Sequence, residues 1–344
     1  MTCGLRGLRG CVVQAPRLLR QRVQARRLRY ESEAFRMLSA MNRRTFLAAL
    51  LAFAALVVPA HADESVLYEK ASAYSTIIVT EDEAGLRTLR FEKGGARQSV
   101  VKPGDPEYLA LPYASVMLAG LALSEDPRRI LIVGLGGGTL PMYIRKHYPD
   151  ATIDAVDIDP DVVYVAKEFF GFREDSRMKA HVGDGRKFIE KARQPYDLIF
   201  LDAFGIDSVP AHLATQEFLQ AVRRAVKPGG GVAGNLWGSG YNRLYDAMVR
   251  TYQEVFDELF ILDVRDAGNK ILLALPRQQP LSRDQLTLMA SKVSTAKRFR
   301  FDLGDLVHYG YLHAREKNQR ERVLRDADTA RPSQENLPAS SLSR

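Results

Sequence analysis

The sequence predicts an α/β protein built on a doubly wound, mostly parallel sheet. Three observations carry this. Strand-like and helix-like runs alternate from residue 129 to residue 275, the pattern produced when crossover helices join parallel strands. A glycine-rich segment, Gly134-Leu135-Gly136-Gly137-Gly138, ends the first of those strands, where a ligand can approach the start of the following helix. The alternation closes on two strand-like runs, 260–264 and 270–275, around the turn Asp266-Ala267-Gly268-Asn269, so the sheet ends in an antiparallel hairpin.

The chain begins with a leader of two parts. Residues 1–40 hold nine Arg and two Glu, a net charge of +7. Residues 41–62 add Arg43 and Arg44, the apolar run 46–58, Pro59 and the small-x-small sequence Ala60-His61-Ala62. That is the layout of a secretory signal peptide, too short for a comfortable transmembrane helix. Arg43-Arg44-Thr45-Phe46-Leu47 resembles a twin-arginine export signal, with an ordinary signal peptide and an uncleaved anchor as the other readings. Met41 stands directly before this signal and reads as the start of the chain. Residues 1–40 are then an untranslated extension, or else an organellar transit peptide, which the same composition allows. The expected product is exported to the periplasm or another extracytoplasmic space, and is free of the membrane once cleaved.

From Asp63 onward the chain carries a net charge of −1, so the body has no basic footprint for nucleic acid. Both cysteines, Cys3 and Cys11, lie in the leader. Disulfides, cysteine-ligated zinc and thiol catalysis are excluded from the body, and no metal site is expected. Runs 74–81 and 86–92 flank a polar turn at Gly85 and predict a hairpin. Residues 94–106 read as a loop and 108–123 as a helix. In the alternating region the expected strands are 129–133, 152–157, 179–182, 196–202 and 231–236. The expected helices are 139–148, 160–170, 215–226 and 244–256. Asp159 and Pro160 supply a cap and a first helical residue, and Pro228-Gly229-Gly230 reads as a helix stop. Residues 282–296 form one more helix, and the polar tail from Asp326 is expected to be disordered.

Functional residues cluster at the strand ends. Gly134, Gly136 and Gly138 let the backbone turn sharply beside a ligand. Asp157 ends the second strand, where a carboxylate can accept from both hydroxyls of a ribose. Asp184, beside Gly185, ends the third, where it can reach an exocyclic amine of adenine. Together they read as a nucleoside pocket. Asp202 ends the fourth strand, and ligands of open α/β sheets sit beyond those ends. A carboxylate there can hold or deprotonate an attacking amine. Asp207 follows in the same loop. Taken singly, each of these residues also fits a capping or turn-stabilising role.

As a set, Gly134–Leu140, Val156-Asp157-Ile158-Asp159-Pro160, Gly183-Asp184-Gly185, Tyr196–Asp202 and Lys227-Pro228-Gly229-Gly230 resemble the spermidine synthase family. Tyr74, Gln98-Ser99 and Glu107-Tyr108 stand where that family has its small N-terminal β domain. The resemblance implies a Rossmann-like class I S-adenosylmethionine-dependent methyltransferase fold, with a seven-stranded sheet and a preceding β domain. It also implies aminopropyl transfer from decarboxylated S-adenosylmethionine to an amine such as putrescine, in a homodimer without a prosthetic group. Asp202 is then the proton acceptor. Gly134, Gly136, Gly138, Asp157, Asp184 and Gly185 hold the donor, and Asp207, Pro210, Tyr108 and Gln98 hold the acceptor. The implied layout is a leader (1–40), a signal peptide (41–62), a β domain with linker helix (63–125), the nucleoside-binding domain (126–280), a helical extension (281–325) and a tail (326–344).

The sequence departs from the family on the acceptor side. Gly137 stands where the family's glycine loop carries an aspartate, Ser75 replaces a glutamine, and Ala110-Leu111-Pro112 replaces Tyr-His-Glu. Asp202 and Asp207 are five residues apart, further than the family's pair. Methyl transfer from intact S-adenosylmethionine, or nucleoside binding without catalysis, are the alternatives.

Overall fold

Four short strands open the described part of the chain: β1 (Ser65–Ala71), β2 (Thr76–Glu81), β3 (Arg87–Arg90) and β4 (Arg97–Val101). They pair antiparallel in sequence order. The predicted hairpin is β2 and β3. The expected loop over 94–106 is corrected, because it contains β4. Glycines on either side hide that five-residue strand from periodicity, but Val100 and Val101 are buried. The computed structural model describes residues 64–205 and 208–329, all within the unit Ala62–Arg344. The leader, the signal peptide, Asp207 and the tail beyond 329 lie outside the described residues.

The helix expected over 108–123 is shorter. Helix α1 (Pro112–Met117) starts with proline at its first turn, where the missing N–H costs nothing. A 3₁₀ segment, Leu118–Leu123, continues it and is buried throughout. Then the alternation begins: β5 (Arg129–Val133), α2 (Thr139–His147), β6 (Thr152–Asp157), α3 (Pro160–Glu168), β7 (Met178–Val182), α4 (Gly185–Glu190), β8 (Tyr196–Leu201), α5 (Gln216–Ala225), β9 (Val226–Trp237) and α6 (Tyr245–Val255). The sequence reading did not include α4. The expected stop at Pro228-Gly229-Gly230 also differs, because α5 already ends at Ala225. Strand β9 absorbs those residues where its register with β8 shifts between Tyr196 and Leu198.

β5 to β9 pair in parallel. Strands β10 (Glu258–Asp263) and β11 (Asn269–Leu275) close the sheet antiparallel, as the terminal hairpin predicted. An eighth strand, β12 (Tyr311–His313), adds to the edge of β10. It follows α7 (Arg283–Lys297) and α8 (Leu303–Gly310). The full order is β12-β10-β11-β9-β8-β5-β6-β7, so the fold is the expected methyltransferase-like one with one added edge strand.

The core lies on both faces of this sheet. Ile130 and Ile132 of β5 face one cluster, with Leu118, Tyr143 and Phe200. Leu131 and Val133 face the other, with Phe218 and Tyr252. Such two-sided burial explains the unbroken apolar runs of the parallel strands, each fully buried side chain contributing about 1.5–3 kcal/mol. The N-terminal sheet packs Ile77, Val79 and Leu89 against Val162, Val165 and Phe170. The Ser72 hydroxyl, in the turn between β1 and β2, donates to Oδ2 of Asp159 at 2.5 Å, and Asp159 caps α3. The described part of the chain also runs past the expected boundary at Asp326. A helical turn, Asp326–Thr329, is held by a bidentate Arg186 pair at 2.7 Å and by Thr215 at 2.7 Å.

Candidate active site

Strand β5 ends at Val133, and the chain must then turn sharply to enter α2. Gly134 makes that turn with φ +99, and a β-carbon there would overlap the carbonyl of Asp202. The loop and the end of β8 are thus held together, with the Asp202 N–H donating to the Val133 carbonyl at 2.8 Å. Between the strand ends and the N-terminal sheet opens a cavity of about 370 Å³. Gly134, Gly136, Asp157, Asp184, Gly185, Asp202, Pro210 and Gln98 line it. Gly138 caps α2 behind the loop, with Phe172 packed against it. Tyr108 lies elsewhere: it lines neither this cavity nor its neighbour, and its ring is near Lys102. Four residues separate it from Tyr113, an aromatic side chain that does line the cavity.

Asp157 accepts from the N–H of Leu135 at 2.9 Å and of Asp159 at 3.0 Å. Burial pushes its carboxyl above the ordinary value, against these amide hydrogen bonds. Asp184 caps α4 through the N–H of Lys187, and its other oxygen lies 2.8 Å from Nε2 of His212. Burial raises its carboxyl, but the Lys187 amide and His212 outweigh burial, so it titrates below the ordinary value. His212 therefore ties the loop after β8 to the end of β7. The Gly136 N–H is a third backbone donor to Asp157, and both carboxylates keep acceptor capacity for a ligand.

Asp202 is the most perturbed carboxyl of the cavity. Burial pushes it up to about 7, and hydrogen bonds from Asn235 and Tyr113 work against burial. The Asn235 amide donates to Oδ1 at 2.9 Å and the Tyr113 hydroxyl to Oδ2 at 3.3 Å. Asn269 donates in turn to the Asn235 carbonyl at 2.9 Å, which fixes the direction of the Asn235 amide. Burial drives the Tyr113 hydroxyl well above its ordinary range, and the charge of Asp202 adds to this, so Tyr113 stays a donor. A carboxyl that titrates near neutrality, with both oxygens oriented, is suited to taking a proton.

Sequence reasoning did not single out Tyr113, Asn235, Asn269 or His212 for the site. A signal existed for Asn235, a lone amide inside the apolar run Val232–Leu236, since a buried polar group needs a partner. Asp207 lies outside the described residues. At Gly137, where the family carries an aspartate, a β-carbon would stand 2.8 Å from the Ser99 hydroxyl and 3.0 Å from Phe170. Among the described residues no group of three or more His, Cys, Asp or Glu is placed to hold a metal ion.

Comparison with known proteins agrees with this fold. The family model described as spermine/spermidine synthase domain matches residues 112–235, which contain the glycine loop, Asp157, Asp184, Asp202 and Asn235. The crystal structure of human methyltransferase-like protein 13 in complex with SAH superposes with a TM-score of 0.50 at 32% identity, covering 55% of this chain and 93% of that one. A probable spermidine synthase from Corynebacterium glutamicum shares the fold, with a TM-score of 0.56 at 22% identity over 68% of this chain and 94% of that one. The polyamine aminopropyltransferase of Vibrio vulnificus is 34% identical over 238 residues, 66% of this chain and 79% of its own length. On that extent of shared sequence, the chain belongs to the spermine/spermidine synthase family.

Proposed function

We propose that the chain transfers an aminopropyl group from decarboxylated S-adenosylmethionine to a primary amine, with Asp202 accepting the proton. The observation that carries this is the half-buried Asp202 carboxyl, oriented by Asn235 and Tyr113 at the wall of the cavity. The amine nitrogen attacks the aminopropyl carbon bonded to sulfur. The C–S bond breaks, its electron pair goes to sulfur to give 5′-methylthioadenosine, and the proton leaving nitrogen passes to Asp202. Asp157 is assigned to the ribose hydroxyls and Asp184-Gly185 to adenine. The glycine loop takes the sulfonium end, and Gln98, Pro210 and Asp207 belong to the acceptor side. Putrescine represents the class of amine the family uses.

Methyl transfer from intact S-adenosylmethionine is the second reading, favoured by one observation. Gly137 brings no carboxylate to the glycine loop, so a donor carboxylate meets no like charge there. The deciding experiment incubates the protein with an amine panel and each donor separately. Formation of 5′-methylthioadenosine supports the first reading; S-adenosylhomocysteine from the intact donor alone replaces it with the second.

Three further proposals rest on the sequence and the family. Residues 41–62 export the chain, the body works as a homodimer, and it divides into a β domain (63–125), a nucleoside-binding domain (126–280) and a helical extension (281–325). Among the described residues no helix is long and apolar enough to cross a membrane.

A further inference from the structure

A second chamber, of about 390 Å³, adjoins the nucleoside cavity. Gln98, Tyr113 and Phe204 stand in the walls of both, and Tyr113 carries the hydroxyl that touches Asp202. An occupant of this chamber therefore has one end beside the proton acceptor. Much of its lining is aromatic. Trp237 lies between Phe204 and Tyr241, with ring centroids 6.4 Å and 5.5 Å away. The hairpin turn makes room for this row. A β-carbon at Gly268 would stand 2.5 Å from the Tyr241 ring and 3.2 Å from Trp237, so any larger residue displaces both. Tyr241 is nevertheless 75% exposed: a ring seated against the turn, with a face left open to the chamber and solvent.

Two ionisable groups of opposite sign, Arg97 of β4 and Asp266 of the turn, also line the chamber. A second ammonium on the acceptor would be attracted by Asp266 and repelled by Arg97, so its charge gains little there. A neutral aromatic ring suffers no such opposition. It stacks on tryptophan and tyrosine, and a guanidinium packs on its face as readily. Resting on the reading of Asp202 above, we propose that this chamber selects an arylalkyl primary amine over a diamine, the ring lying on Trp237 and Tyr241 while the amine reaches Asp202.

Trp237 is the only tryptophan of the chain, so its fluorescence reports on the chamber directly. The full chain, saturated with 5′-methylthioadenosine, is titrated with a phenylalkylamine, an unbranched alkylamine and a diamine of matched length. The phenylalkylamine should perturb Trp237 with an affinity about ten-fold tighter than the diamine. Tyr241→Ala, at an exposed position, should bring it down to the affinity of the alkylamine, and Gly268→Val should do the same by displacing both rings. Equal or tighter binding of the diamine overturns the proposal. So does an aryl preference that survives Tyr241→Ala, or a Trp237 signal that no amine alters. Turnover of the same three amines separates this inference from the reading beneath it. Aryl selectivity in binding without aminopropyl transfer removes the reaction and leaves the chamber, while transfer that favours the diamine does the reverse.

Discussion

Asp202 binds its proton tightly because burial disfavours its charge, and loosens it because Asn235 and Tyr113 donate to its oxygens. The balance is adjustable one hydrogen bond at a time. Replacing Asn235 by Leu removes a donor that stabilises the carboxylate, so the carboxyl should titrate higher still. The reaction needs the ionised form, hence the rate rises as pH passes upward through that value. In Asn235→Leu the midpoint of this limb should move up from about 7 by about one unit, read from kcat against pH. A midpoint that does not move uncouples the amide from the base. Asp202 itself was legible in the sequence as an acid at a strand end. Its partners were not, because Tyr113 and Asn235 lie 89 and 33 residues away along the chain, and only the sheet brings them together. Tyr108 shows the opposite error. The family resemblance puts it on the acceptor side, while the structure leaves its ring near Lys102 and outside the cavity lining.

At the scale of elements, the glycine loop and the end of β8 form one joint. Gly134→Ala forces a β-carbon into a backbone conformation that L residues rarely adopt and against the Asp202 carbonyl. The expected cost is about 2–4 kcal/mol, measured by urea denaturation, together with loss of donor binding. Unchanged stability and binding would mean that β5 and β8 can separate there without consequence. The parallel strands were the most legible elements, since β5 and β6 keep the predicted bounds. Two-sided burial demands long apolar runs, and those are visible. The elements that escaped were short or half exposed. β1 is mostly solvent-facing, β4 has five residues between glycine-rich segments, and α4 has six residues behind Asp184. The three residues of β12 form a strand only because β10 offers an edge.

The whole molecule combines a strongly basic leader with a nearly neutral body. On the proposal that residues 41–62 export the chain, the mature end falls at Asp63. Edman sequencing of the exported protein should therefore read Asp63-Glu64-Ser65. A mature protein that starts at residue 1 or 41 contradicts cleavage. The first described strand begins directly after this point, at Ser65, so cleavage there leaves the N-terminal sheet whole.

The central claim is that Asp202 takes the proton of an attacking amine, and one measurement addresses it most directly. It is the rate of 5′-methylthioadenosine formation from the decarboxylated donor across about pH 5 to 9, for the wild-type chain and for Asp202→Asn, with donor affinity measured alongside. The account predicts a wild-type rate rising with a midpoint near 7. It predicts a drop of about 10²–10⁴ in Asp202→Asn, with donor affinity within a few-fold of wild type. Near-normal turnover in Asp202→Asn, or a midpoint in the ordinary carboxylate range, contradicts it.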